Sequence, residues 1–245
     1  MSKSLVIIPT YNEKENVSKI IEAVFSLEKP FDILVVDDNS PDGTAKIVKT
    51  LLNSHPDSLF ILEREGKLGL GTAYILGFKW ALEHGYDYIF EMDADFSHNP
   101  KDLIRLYETC LKEDVDMVVG SRYVKGGKLE NWPWDRIFIS FGASLYVRMI
   151  TRMPIKDPTA GFVCYSRKVL ENIDLDKIHF VGYAFQIEMK FATYTLGYKI
   201  EEIPITFVDR VEGTSKMNSS IVSEAIKGVV QMKWNSFSGT YKIEK

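Results

Sequence analysis

The chain has 245 residues, 45% of them apolar and 26% charged, with a net charge of −4. Those proportions exclude a disordered chain, and the acidic balance disfavours a general nucleic-acid binder. At this length roughly 70–75% of the unfolded surface can be buried, enough for one large α/β domain without a disulfide or metal staple.

Leu5–Ile8 is a short β-branched run and reads as a buried parallel strand. Apolar residues at 17, 20, 21, 24 and 25 give a helical stripe over Asn16–Phe25. Ile33–Val36 is a second strand, and Asp42-Gly43 opens a helix over Thr44–Leu52. Leu59–Leu62 is a third strand, followed by a helix over Gly71–His84 that Gly85 stops. Tyr88–Met92 is a fourth strand. A helix over Pro100–Lys112 follows, with Asn99 as its candidate cap, and then a fifth strand at Val115–Val119. Strands alternating with helices imply a mostly parallel, Rossmann-like central sheet with helices on both faces.

The texture changes after Ser121. Residues 122–156 hold seven Lys or Arg against two acids, a local charge of +5, together with six aromatics. Phe162–Tyr165 is a further strand, Glu188–Leu196 a helix, Ile200–Val208 an extended segment with Pro204, and Ile221–Trp234 a last helix. Cys110 and Cys164 lie far apart in apolar stretches and read as buried reduced thiols. No zinc-type Cys/His spacing, signal peptide or apolar run of about 18 residues is present, so the expected compartment is the cytoplasm.

Asp93-Ala94-Asp95 directly follows the fourth strand, where open α/β sheets bind ligands. Two carboxylates two residues apart can converge on Mg²⁺ or Mn²⁺; a solvated acidic turn is the other reading. Asp37-Asp38 closes the second strand, and Pro9-Thr10-Tyr11-Asn12-Glu13 the first. A helix start accounts for Glu13, but not for three polar strand ends on one edge. Together they suit a nucleotide: an aromatic against the base, and carboxylates for ribose or base N–H groups. Gly66–Gly71 lacks the order of a phosphate-binding loop and is expected to border the nucleotide pocket. Asp209–Lys216 offers Arg210 and Lys216 around Gly213, either to close over phosphate or as a solvated turn.

Taken together, P-T-Y-N-E at 9–13, V-V-D-D-x-S-x-D-G-T at 35–44, D-A-D at 93–95, G-S-R-Y at 120–123 and F-V-D-R-V-x-G-x-S-K at 207–216 resemble the inverting family 2 glycosyltransferases of GT-A fold. G-S-R-Y, Asp157–Phe162 and the late motif resemble the branch that glycosylates polyprenol phosphates, its mannosyltransferases above all. The resemblance implies a single domain over residues 1–245. About 1–120 would bind the nucleotide sugar, and about 121–245 the acceptor and the membrane. It implies GDP-mannose as donor and a polyprenyl (dolichyl-type) monophosphate as acceptor. Matching donor residues are Pro9, Tyr11, Glu13, Val36, Asp38, Asp93, Ala94 and Asp95. Asp95 matches the metal ligand, for Mg²⁺ or Mn²⁺; Ser97 stands where some members carry Gln as a second ligand, and a hydroxyl is the weaker ligand. Arg122, Arg210 and Lys216 match catalytic residues that hold donor and acceptor phosphates, and Arg136 matches an acceptor-side arginine.

A phosphomonoester with a second pKa near 6 is already a nucleophile at about pH 7, so the expected reaction is direct displacement with no dedicated general base. Its lipid tail requires a membrane surface. The stretch 122–156 fits peripheral attachment at the cytoplasmic face, with Trp132, Trp134 and Phe138 at the interface. Ile137–Ile150 reads equally as a core helix with snorkelling Arg148 and Arg152. No nucleic acid and no obligate protein partner are expected. Transfer from UDP-glucose or another UDP-sugar, a non-catalytic nucleotide-sugar-binding module and a nucleotidyltransferase are the alternatives.

Overall fold

The structure is a computed structural model that describes residues 2–112, 114–182, 184–209, 219–236 and 240–243. The first half is a run of β1 (Ser4–Thr10), α1 (Val17–Phe25), β2 (Asp32–Asp37), α2 (Thr44–Leu52), β3 (Leu59–Glu63), α3 (Leu70–Glu83), β4 (Tyr88–Glu91), α4 (Asp102–Cys110) and β5 (Met117–Ser121). The second half holds β6 (Lys128–Glu130), α5 (Trp134–Thr151), β7 (Val163–Ser166), α6 (Arg167–Asn172), α7 (Ala184–Thr195), β8 (Ile200–Pro204), β9 (Thr206–Val208) and α8 (Ser219–Ser236).

Seven strands form one sheet in the order β3-β2-β1-β4-β7-β5-β8, while β6 and β9 pair separately. All neighbours in the large sheet are parallel except β7, which runs antiparallel to β4 and β5. Its reversal places the loop entering β7, rather than the loop leaving it, beside the carboxyl ends of β4 and β5.

Alternating side chains of each strand feed two cores. Leu5, Ile7, Leu34, Val36 and Ile89 pack under Tyr74, Phe78, Phe185 and Phe191 of α3 and α7. Val6, Ile8, Ile33, Val35 and Phe90 pack under Ile20, Ile21, Val48, Leu103 and Leu106 of α1, α2 and α4. Helices thus cover both faces. The strands read as continuous apolar runs for that reason.

Local signals act where expected. Asp42 Oδ1 accepts from Thr44 N at 3.0 Å at the start of α2. Asn99 Oδ1 accepts from Lys101 N at 3.1 Å ahead of α4. Gly85 takes a φ of +75° after α3, a conformation that suits glycine.

Helix α5 is inverted. Ser144, Val147 and Thr151 are buried, while Trp134, Phe138, Phe141, Leu145 and Met149 are between 44% and 77% exposed and share one side. A core helix does not account for that pattern. Beside α5 packs α8, whose Val230 and Trp234 are also exposed. Among the described residues no helix is long and apolar enough to cross a membrane.

Candidate active site

The chain steps outward from β1 to β2 and β3, then returns to place β4 on the other side of β1. A crevice opens at the carboxyl ends of strands where the order reverses in this way. The polar ends of β1, β2 and β4 all border it, as their sequence positions predict.

The loops after β1 and β2 are one hydrogen-bonded unit. Asp37 is fully buried and accepts from Thr10 Oγ1 at 2.7 Å, Ser40 N at 2.9 Å and Ser40 Oγ at 2.6 Å. Its work is structural. Asp38 N donates to Thr10 O at 3.0 Å, Asn12 N to Ser40 Oγ at 3.0 Å and Glu13 N to Thr44 Oγ1 at 3.0 Å. Tyr11, Glu13 and Asp38 are therefore held on a common base. Val36 is buried in the core, so only its backbone can meet a ligand.

Asp38 has a partner that the sequence pattern did not disclose. Arg64, the residue after β3, donates from Nε to Asp38 Oδ1 at 2.6 Å. Its other nitrogens reach Thr72 Oγ1 at 2.6 Å and Gly69 O at 3.1 Å. This ties the Gly66–Gly71 loop to the crevice and carries Lys67 Nζ to 5.0 Å from the centre of the Tyr11 ring. The loop lies beside Tyr11 at the crevice.

The Asp93–Asp95 turn is tightly built. Asp95 is buried, and its Oδ1 accepts from Ser97 N at 3.0 Å. Ser97 thus meets Asp95 through its backbone. Phe96 takes a φ of +60°. His98 is buried, and its Nδ1 accepts from Asp93 N at 3.3 Å. Burial lowers the His98 pKa to about 4, against the opposing pull of the Asp95 charge. Burial first, and then the charges of Asp93, Glu91 and Asp95, hold the Tyr74 hydroxyl well above its usual range, so these carboxylates share one neighbourhood. Beneath the turn, burial raises Glu91 to about 7, and Glu91 accepts from Tyr165 Oη at 3.0 Å and Gln186 Nε2 at 2.6 Å.

The residues expected on the acceptor side lie at the same edge. Arg122 forms a fork with the fully buried Asp157: Nε to Oδ2 at 2.8 Å and NH2 to Oδ1 at 2.7 Å, with NH2 also reaching Thr159 Oγ1 at 2.8 Å. Burial opposes both charges. Their mutual attraction outweighs it, lowering the Asp157 pKa and raising that of Arg122. The rings of Tyr123, Trp132 and Phe207 surround the guanidinium at 5.3, 5.8 and 5.6 Å. Arg136, in the first turn of α5, donates to Asp209 Oδ2 at 2.8 Å and lies 3.9 Å over the Trp132 ring. Trp132 is therefore a wall of the site, unlike the exposed Trp134 and Phe138 with which the sequence grouped it. Val208 N donates to Ser97 O at 3.3 Å, which joins β9 to the Asp93–Asp95 turn. Arg210 and Lys216 lie outside the described residues.

Sequence reasoning did not single out Arg64 or His98, and it left Asp157 without a role. A charged residue at the end of β3 and a histidine three residues past the acidic pair were the available signals.

Comparison with known proteins gives these residues a lineage. The model of "Glycosyl transferase family 2" matches residues 5–174. A polyprenol monophosphomannose synthase of Mycolicibacterium smegmatis is 44% identical over 229 residues, covering 94% of this chain and 86% of its own. An undecaprenyl-phosphate mannosyltransferase of Micrococcus luteus is 48% identical over 227 residues, covering 93% and 92%. Among solved structures, glucosyl-3-phosphoglycerate synthase of Mycobacterium tuberculosis with UDP superposes with a TM-score of 0.68 at 15% identity, covering 97% of this chain and 80% of that one. The fold is accordingly the GT-A fold. With its crevice at the β1/β4 switch point and its match over most of the chain, this protein belongs to glycosyl transferase family 2.

Proposed function

We propose that the protein transfers mannose from GDP-mannose to a polyprenyl monophosphate, with inversion, giving polyprenyl phosphate mannose and GDP. The observation that carries this reading is the meeting, at one sheet edge, of the Asp93–Asp95 turn with the Arg122–Asp157 and Arg136–Asp209 pairs. The relatives that match over nine-tenths of the chain are named for mannose transfer to such lipids.

Tyr11, Glu13 and Asp38, with the backbones of Pro9 and Val36, receive the nucleoside. Asp93 and Asp95 offer hard carboxylate oxygens, the donor type that Mg²⁺ or Mn²⁺ takes together with substrate phosphates. Among the described residues no cluster of three or more His, Cys, Asp or Glu could enclose an ion, which suits a site completed by substrate. Held by Asp93 and Asp95, a divalent ion would supply positive charge against the departing diphosphate. The phosphate acceptor is its own nucleophile, so the protein's task is to bring two anions together. Arg122, rigidly held, and Arg136 orient the acceptor, and Arg210 and Lys216 are assigned to the phosphates by family resemblance. No covalent enzyme intermediate and no general base enter.

The exposed apolar side of α5 starts at Trp134, two residues from Arg136. Resting on the cytoplasmic face of a membrane, it would bring a lipid-borne phosphate to that arginine without a spanning helix.

The deciding assay supplies Mg²⁺ or Mn²⁺, a short polyprenyl phosphate and, separately, GDP-mannose, UDP-glucose and UDP-N-acetylglucosamine, with lipid product read by mass. Product is expected from GDP-mannose, lost in Asp95→Ala. Product from a UDP-sugar alone overturns the donor. Product from none overturns the reaction.

A further inference from the structure

Behind the Asp93–Asp95 turn lies a buried polar layer made of Glu91, His98, Gln186 and Lys190. Lys190 Nζ donates to Ala160 O at 2.6 Å and to Gln186 Oε1 at 3.1 Å, and Gln186 passes the connection to Glu91. His98 touches the turn itself, its Nδ1 accepting from Asp93 N at 3.3 Å. We propose that His98 is a positioning residue for the donor diphosphate and its metal ion: its Nδ1, by accepting the Asp93 N–H, sets the turn that aims Asp93 and Asp95. This rests on the reading that those two carboxylates hold a divalent ion with a nucleoside diphosphate.

Two ring contacts fix the imidazole. It stacks on Phe162 with centroids 4.8 Å apart and planes 10° from parallel. Phe207 meets it edge-on at 5.4 Å. The ring so held turns Nδ1 toward Asp93 N at 3.3 Å, which makes Nδ1 the bare nitrogen and puts the proton on Nε2. With Nδ1 occupied, His98 does not ligate a metal through that atom.

The turn needs such a brace. Phe96 sits at a φ of +60°, and Asp95 Oδ1 accepts from Ser97 N at 3.0 Å within the turn. Removing the acceptor strands the Asp93 N–H and frees the chain on which both carboxylates stand. Partners of this kind, one shell behind the ligands, typically carry about 10–100-fold in metal affinity.

The experiment titrates Mn²⁺ in the presence of GDP, following free ion by electron paramagnetic resonance, for wild type, His98→Phe, His98→Asn and His98→Gln. Phe keeps a flat ring between Phe162 and Phe207 but offers no acceptor. Its Mn²⁺ affinity should fall by about 10–100-fold, while the melting temperature drops only by the few degrees that one stranded donor costs. Asn places Oδ1 where Nδ1 stands and should recover most of the affinity; Gln, whose amide reaches the Nε2 position, should not. His98→Phe binding as wild type, or Gln matching Asn, overturns the proposal. If His98→Phe does not fold, the Asn–Gln contrast decides alone. Wild type that binds Mn²⁺ with UDP but not GDP moves the same comparison to UDP. Wild type that binds with neither overturns the functional reading and this role with it. Independently of metal, the imidazole nitrogen spectrum should show a bare Nδ1, and a protonated Nδ1 overturns the hydrogen bond itself.

Discussion

Arg122 and Asp157 form a charged pair almost fully withdrawn from water, and a buried pair punishes the loss of one member more than of both. Asp157→Ala strands the guanidinium among three aromatic rings. It should lower unfolding free energy by about 3–5 kcal/mol in urea titration. The pair also sets an acid limit. The Asp157 carboxyl titrates below its ordinary value, so its stabilisation is complete above about pH 4, the unfolded-state value, and is lost as the pH falls through the lower folded-state one. Urea midpoints of wild type minus Asp157→Asn should hold constant from neutral pH to about 5 and shrink below about 4. The acids of the site were legible in the sequence because strand ends in an alternating α/β pattern share an edge. Their partners were not. Arg64 is 26 residues from Asp38, and Asp157 is 35 from Arg122, separations that only the folded sheet closes.

Helix α3 shows how closely elements must approach to form the crevice. A Cβ on Gly71, in its first turn, would lie 2.6 Å from Phe180 O and 2.8 Å from the Phe185 ring. Backbone cannot yield as a side chain does, so Gly71→Ala should cost about 1–3 kcal/mol and shift the thermal midpoint down. The amphipathic helices were readable from period alone: α2 occupies the predicted Thr44–Leu52. Helix α7 begins earlier than its predicted Glu188 because every residue from Ala184 to Thr193 is buried, and a helix buried all round has no polar side to mark its period. Strand β6 went unread for a different reason, although its partner β9 lies in the extended segment expected over Ile200–Val208. Each has three residues, and each is a strand only by virtue of the other.

At the scale of the whole molecule, the half proposed to take the acceptor presents the apolar flank of α5 and α8 to the outside. The triple variant Trp134→Ser, Phe138→Ser, Met149→Ser removes three exposed side chains and no packing partner of the core. It should bind anionic vesicles at least about tenfold more weakly in sedimentation while keeping turnover of a short-chain acceptor, and wild-type binding should weaken with salt. That flank was foreseen as basic and aromatic, but its direction was not, since composition does not say which side of a helix is covered. The reversed strand β7 carries a consequence of another kind, one of timing. Strand β5 emerges from the ribosome long before β7, yet β7 separates it from β4 in the finished sheet. The first half of the chain therefore waits, with β4 open on one side, until the chain has been made past Ser166. The ends of β1, β2 and β4 lie on one side of β7 and the end of β5 on the other, so the polar edge that carries them all is joined in one step, when the reversed strand slots in.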